Sequence, residues 1–187
     1  MTSDSYVRVF DLRTPASASN HLVTQIPIHA GPPAPAIPGQ PGGPAPPAEA
    51  LTHDWNKYRP TVLATAGVDR AIRTFDIRAP QQGPLSTMLG HEYAVRKLAW
   101  SPHLSNVLLS ASYDMTCRVW SDRSDVAGGD MDMMRAGPVV GAELGRMGRH
   151  TEFVTGVDWC LFGSEGWCAS VGWDENLYVW DVRATMS

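Results

Sequence analysis

The sequence predicts an all-β chain, a β-propeller arc of about three and a half four-stranded blades, from three observations. Three stretches align with one another: ALTHDWNKYRPTVLATAGVDRAIRTFD (50–76), AVRKLAWSPHLSNVLLSASYDMTCRVWS (94–121) and FVTGVDWCLFGSEGWCASVGWDENLYVWD (153–181). Each breaks into short runs of period two, the spacing of strands rather than helices. Each also ends on an aromatic six residues beyond a turn Asp: Asp69 and Phe75, Asp114 and Trp120, Asp174 and Trp180.

The elements follow in chain order. Residues 1–28 are a partial blade, in which TSDSYVRVFD repeats the spacing with Asp4 and Phe10, and HLVTQI (21–26) is an outer strand. Residues 29–49 are a loop insertion, since 31–47 holds eight Pro and four Gly. Such a segment buries too little to offset its ordering entropy. Residues 50–90 form a blade: a strand ending at Trp55, then VLATAG, then the run to Phe75, then PLSTMLG (84–90). Residues 91–120 are the core of the next blade, whose first strand ends at Trp100. Residues 121–138 are an acidic loop insertion. Residues 139–187 supply an outer strand, VVGAELGRM (139–147), and the final blade, whose first strand ends at Trp159. A His opens each unit. His91 to Asp114 spans 23 residues, His150 to Asp174 spans 24, and His29 to Asp69 spans 40, the excess matching the Pro/Gly insertion.

Composition excludes several classes. The formal net charge is −4 and the only lysines are Lys57 and Lys97, so no basic tract suits nucleic acid or an anionic membrane. No apolar run reaches the ~20 residues of a membrane span. The N-terminus shows no signal-peptide pattern. Three cysteines without C-x-x-C spacing read as reduced thiols of an intracellular protein.

The recurring polar residues have the types of a hydrolase triad: His91 with Ser110 and Asp114, or His150 with Ser170 and Asp174. An enzyme rarely builds one active site per repeat, so no catalytic residue is assigned. The segments GH (90–91), SASYD (110–114), RVW (118–120), RH (149–150), SVGWD (170–174) and YVWD (178–181) resemble the WD-repeat family. The resemblance makes the fold a WD40-type propeller. It implies hydrogen-bonded structural sets across each blade: His91–Ser110–Asp114–Trp120 and His150–Ser170–Asp174–Trp180. A third set, His29–Thr65–Asp69, would be one member short, because Phe75 has no N–H to donate. No His pair has ligand spacing, so no metal and no cofactor are expected.

Longer stretches are more specific. HDWNKYRPTVLATAGVDRAIRTFDIR (53–78), LGHEYAVRKLAWSPHLSNVLLSASYDMTCRVW (89–120) and HTEFVTGVDW (150–159) resemble the receptors for the type-2 peroxisomal targeting signal. The resemblance implies a non-catalytic import receptor. It would bind cytosolic cargo through an N-terminal nonapeptide signal and shuttle it to the peroxisome matrix with a co-receptor and a docking complex. In a propeller, the loop before the first strand and the turn between the second and third share one face. That places Glu92, Tyr93, Tyr113, Glu152, Phe153 and Trp173 together as the expected cargo-peptide site, aromatics interleaved with carboxylates. The alternative is a substrate receptor of a cullin-type ubiquitin ligase, from FDLR (10–13), FDIR (75–78) and WDVR (180–183), which resemble a WDxR docking motif.

Propellers close with about 4–8 blades, so further repeats upstream of Met1 are expected, and an open arc leaves raw strand edges. Expressed alone, the chain is not expected to be a stable, cargo-competent monomer. A sharp cooperative melt with monomeric sedimentation would refute this.

Overall fold

A computed structural model describes residues 5–13, 22–27, 48–124 and 138–186. Asp4, His29, the 31–47 segment and residues 125–137 of the second insertion lie outside the described residues. The described residues form fourteen strands in four sheets and no α-helix. Blade I holds β1 (Tyr6–Phe10) and β2 (Leu22–Pro27). Blade II holds β3 (Ala50–Trp55), β4 (Val62–Gly67), β5 (Ile72–Asp76) and β6 (Ser86–Met88). Blade III holds β7 (Val95–Trp100), β8 (Val107–Ser112), β9 (Cys117–Ser121) and β11 (Ala142–Met147). Blade IV holds β12 (Val154–Trp159), β13 (Trp167–Gly172) and β14 (Leu177–Asp181). Pairing within each blade is antiparallel. The result is the all-β, open arc of blades that the repeats predict.

Burial follows position in the arc. β4 and β8, flanked by blades on both faces, are buried at every residue, so VLATAG and VLLSAS read as continuous small apolar runs. β13 is buried on one face only, and its other face shows Trp167 and Val171. The core therefore lies between blades. Ala64, Ile72, Leu98 and Trp120 belong to the cluster joining blades II and III, and Leu109, Val119, Val157 and Cys168 to the cluster joining III and IV. Phe75 packs on Ile26 between I and II.

The turn Asp residues have a local cause. Each second hairpin places the residue after its Asp in the left-handed region: Arg70 at φ 68°, Met115 at 65° and Glu175 at 61°. That conformation costs a non-glycine residue about 1 kcal/mol. The Asp side chain offsets it by accepting the N–H two residues on: Ala71 at 3.4 Å, Thr116 at 3.1 Å and Asn176 at 3.1 Å.

Polar ties fix the angle between blades. The backbone N–H of Leu98 donates to Thr52 Oγ1 at 3.1 Å and that of Trp100 to Asp54 Oδ2 at 2.7 Å, joining the innermost strands of II and III. Trp159 Nε1 donates to the carbonyl of Ala99 at 2.9 Å, joining III and IV. At the outer end, Arg59 of the β3–β4 turn pairs with the fully buried Asp122 at 2.6 Å, and Thr74 Oγ1 donates to the same carboxylate at 2.8 Å.

The segment 139–147, expected as a single outer strand, divides instead. β10 (Val139–Val140) runs parallel to β6 on the edge of blade II, and β11 pairs with β9 in blade III. Gly141 makes the crossing, because a Cβ there would collide with Met88 and lie 2.7 Å from the carbonyl of Ser121. The same backward reach recurs. The 3-10 turn Pro80–Gln82, after β5, lies against β2 of blade I. Met186, after β14, bridges to Gly145 of β11. Each connection leaving a third strand covers the outer edge of the blade before it.

Because Asp122 is buried and holds two blades, Asp122→Ala should lower stability by about 3 kcal/mol, leaving Arg59 without its carboxylate. Arg59 is partly exposed, which sets the effect at the lower end. A urea midpoint within error of the parent would disprove this role.

Candidate functional site

The recurring His residues are held from both sides. His91 Nδ1 lies 2.7 Å from Asp114 Oδ2 and its Nε2 lies 2.6 Å from Ser110 Oγ, while Trp120 Nε1 donates to the same Ser110 Oγ at 2.8 Å. A carboxylate only accepts, so Nδ1 carries the proton, Ser110 donates to Nε2, and the chain runs from indole to hydroxyl to imidazole to carboxylate. In blade IV, His150 lies 2.8 Å from Asp174 and 2.9 Å from Ser170, with Trp180 Nε1 to Ser170 Oγ at 3.3 Å. Both hydroxyls are buried and already accept an indole N–H, so neither is presented to a substrate. In blade II, Thr65 is buried, Asp69 pairs with Arg73 at 2.5 Å, and His29 lies outside the described residues.

The two sets are lined differently. In blade III, Arg118 bridges Asp114 at 3.3 Å and Glu143 at 2.8 Å beneath Gly90, where a Cβ would sit 2.7 Å from Arg118 Nη1. In blade IV, Tyr178 takes the place of that arginine, its ring edge-on to His150 at 4.8 Å, and the residue before the His is Arg149 rather than Gly. The glycine is thus needed where a guanidinium comes up beneath the chain.

These sets also shape the surface above them, a role not evident from sequence. Asp114 Oδ2 accepts the backbone N–H of Glu92 at 3.1 Å, and Asp174 Oδ2 accepts that of Thr151 at 3.2 Å. The N–H of Tyr113 donates to the carbonyl of Ala94 at 3.1 Å, and that of Trp173 to Phe153 at 2.9 Å. The loop before each first strand is therefore bound to the turn between the second and third. Of the six expected site residues, three meet across the blade III–IV boundary. The rings of Tyr113 and Phe153 lie 4.9 Å apart, Phe153 and Trp173 5.2 Å, and Tyr113 and Trp173 6.4 Å. Tyr113 and Phe153 are half-buried, whereas Trp173 is 64% exposed and Tyr93 60%. Among the described residues Tyr93 makes no ring contact with the trio; Glu152, which precedes Phe153, is exposed, and so is Glu92, whose carbonyl accepts from Arg70 of blade II. Sequence reasoning passed over Arg70, Met115 and Glu175, which occupy the same turn position in successive blades. The signal was the residue after each turn Asp, in VDR, YDM and WDE.

The opposite end carries the Asp-x-Arg segments. Arg13, Arg78 and Arg183 each fold back on the Asp two residues earlier, at 2.8, 2.6 and 2.6 Å. The pairs lock the strand ends with the guanidinium Nε and Nη2 donors already engaged.

Comparison with known families matches residues 82–121 and 141–181 to WD40, described as WD domain, G-beta repeat. The chain carries WD40 repeats. Its curated homologues include the peroxisomal targeting signal 2 receptor of Saccharomyces cerevisiae, 36% identical over 198 residues that cover 96% of this chain and 48% of the relative. The receptor of the same name from Komagataella phaffii is 38% identical over 97% of this chain and 45% of the relative. Peroxisome biogenesis protein 7 of Arabidopsis thaliana is 42% identical over 54% of this chain and 28% of the relative. The chain spans about half the length of the first two relatives. The two WD40 matches contain the His–Ser–Asp–Trp sets of blades III and IV, which carry the aromatic trio.

Burial holds His91 below the ordinary imidazole value, against the opposing pull of Asp114. Burial pushes the Asp114 carboxyl up, but hydrogen bonds from His91, Thr116 and the Glu92 N–H together hold it well below the carboxylate range. Both depressed values act in the same sense: the stability they contribute is present at neutral pH and lost on acidification. For His91 the loss begins as pH falls below about 6.5, and for Asp114 below about 4. Hydrogen-exchange protection of β8 and β9 should therefore fall between pH 7 and 5. A His91→Gln variant should be less protected at pH 7 but flatter over that range, and an unchanged slope would remove His91 as the cause.

Proposed function

We propose that this chain forms part of a non-enzymatic import receptor. Its role is to bind the N-terminal type-2 targeting signal of cytosolic cargo and deliver that cargo to the peroxisome matrix with a co-receptor and docking complex. The observation that carries this reading is the Tyr113–Phe153–Trp173 trio, which spans two blades on one face. Glu92 and Glu152, in the loops before the first strands of blades III and IV, are exposed. The names of the homologues point to the same role.

The chemistry suits a short amphipathic helix with a basic residue. Positions seven apart lie about two helical turns apart, so two aliphatic side chains share one helix face and can meet the rings together. Trp173 offers a large apolar surface at small cost in side-chain entropy, and carboxylates around an apolar centre favour a cationic partner. The hydrogen bonds from Glu92 and Thr151 to buried carboxylates hold both loops before cargo arrives, which reduces the ordering cost of binding.

In the full-length protein, a Glu92→Lys/Glu152→Lys double variant should weaken binding of a fluorescent targeting-signal peptide about tenfold at low salt, and less at high salt. Unchanged fluorescence anisotropy would sink the assignment of these carboxylates. Capture on a ligase adaptor in place of the peptide would favour the cullin-type reading.

A further inference from the structure

An ion network in blade III reaches from the outer edge of the blade to the underside of the loop face. Arg118, on β9, is 2% exposed, so its charge must be met by partners inside the blade. Its Nη1 donates to Glu143 Oε2 at 2.8 Å, its Nη2 to Asp114 Oδ2 at 3.3 Å and its Nε to Thr116 Oγ1 at 3.3 Å. Glu143 belongs to β11, and its other oxygen accepts from Arg146 Nε at 3.0 Å. Residues three apart on a regular strand point to opposite faces. Here the register shifts between Glu143 and Gly145, so Glu143 stands opposite Trp120 and Arg146 opposite Arg118. The bulge turns both residues to the face of β9 that holds Arg118. The carboxylate then lies between two guanidiniums that would otherwise repel across the strands. Among the described residues, neither neighbour repeats this. The outer strand of blade II, Ser86–Met88, holds no carboxylate, and in blade IV Tyr178 stands where Arg118 does.

The inner end of the network bears on the loop before β7. Asp114 Oδ2 takes three donors: Arg118, His91 Nδ1 at 2.7 Å and the backbone N–H of Glu92 at 3.1 Å. Gly90 passes directly over the ions, since a Cβ there would lie 2.7 Å from Arg118 Nη1 and 3.2 Å from Glu143 Oε2. Residues 90–92 therefore rest on Arg118 and Glu143 and are tied to the oxygen that Arg118 holds. We propose that Glu143 is a positioning residue for the loop face. Through Arg118 and Asp114 it sets the placement of residues 90–93, which present the exposed Glu92 and Tyr93. β11 is itself seated from both ends, by the crossing at Gly141 and by the bridge from Met186 to Gly145. The seat of an outer strand is thus passed on to a loop on the far side of the sheet. The placement of the loop stands on this geometry alone, and what the loop binds rests on the receptor reading above.

The test uses the full-length protein. Glu143→Gln keeps the size of the side chain and removes its charge. It should raise the exchange rate of the Glu92 amide about tenfold, the effect of weakening one charge-assisted hydrogen bond. The Thr151 amide, its counterpart in blade IV, should be unchanged. Binding of a fluorescent targeting-signal peptide should weaken about threefold as the loop loses its preorganisation. A Glu143→Gln/Arg118→Leu variant separates positioning from stability. With no guanidinium left buried and unpaired, its urea midpoint should return toward that of the parent. The Glu92 amide should stay fast, because Asp114 has lost Arg118. Parental Glu92 exchange in Glu143→Gln, or exchange that recovers with the midpoint in the double variant, would overturn the proposal. Fast exchange with unchanged peptide affinity would uphold the positioning of the loop and overturn the placement of the cargo site on it.

Discussion

A buried imidazole with a partner on each ring nitrogen is the constraint on which the rest of the arc depends. A polar ring inside a β blade is tolerated only when both nitrogens are satisfied. For His91 that requires Asp114 from a turn, Ser110 from the central strand and Trp120 from the strand beyond. The requirement ties three strands and the incoming loop into one unit, and it fixes the spacing along the chain. Trp120 can reach Ser110 only if the second hairpin is tight, so the turn Asp and the left-handed residue after it belong to the same constraint.

The carboxylate at the end of each set serves two neighbourhoods. One oxygen of Asp114 holds the turn, and the other takes both the imidazole and the backbone of the loop above. The buried strut and the surface loop are thus parts of a single hydrogen-bonded object. Core substitutions in these blades act on the face that carries the rings, and a loop insertion that spares the Glu92 N–H does not. The blade III–IV boundary gains in the same way. Tyr113 and Trp173 come from equivalent turns, and Phe153 fills the gap between them because its own carbonyl is bound to the Trp173 N–H.

Most of the architecture was legible because it repeats. VLATAG, VLLSAS and WCASVG mark the central strands, and the Asp-to-aromatic spacing marks the hairpins, since each copy checks the others. The division of 139–147 was not legible. Val139 and Val140 are apolar like the strand that follows, and only the crowding at Gly141 separates them. The meeting of the three rings across a blade boundary was legible as a shared face but not as a contact, because nothing in the order of residues states how far adjacent blades stand apart. The Asp122 pair was hidden for a related reason. Asp122 lies in what reads as an acidic loop, and its partner Arg59 is 63 residues away in another blade. The exchange of Arg118 for Tyr178 and the paired change of Gly90 to Arg149 became intelligible only in three dimensions.

The backward reach of each third-strand connection gives the arc a direction. Pro80–Gln82 covers β2, β10 covers β6, and Met186 reaches β11, so blades I, II and III each rely on the next one in sequence at their outer edge. In a linear array stabilised by neighbours, such one-way shingling makes damage travel toward the N-terminus. Disorder in a blade uncovers the one before it and leaves the one after it sheathed. During synthesis, each blade emerges with its outermost strand bare until the following hairpin is made. The exposed interval lasts as long as the ribosome needs for that hairpin, and it grows with the length of chain that separates one blade from the next.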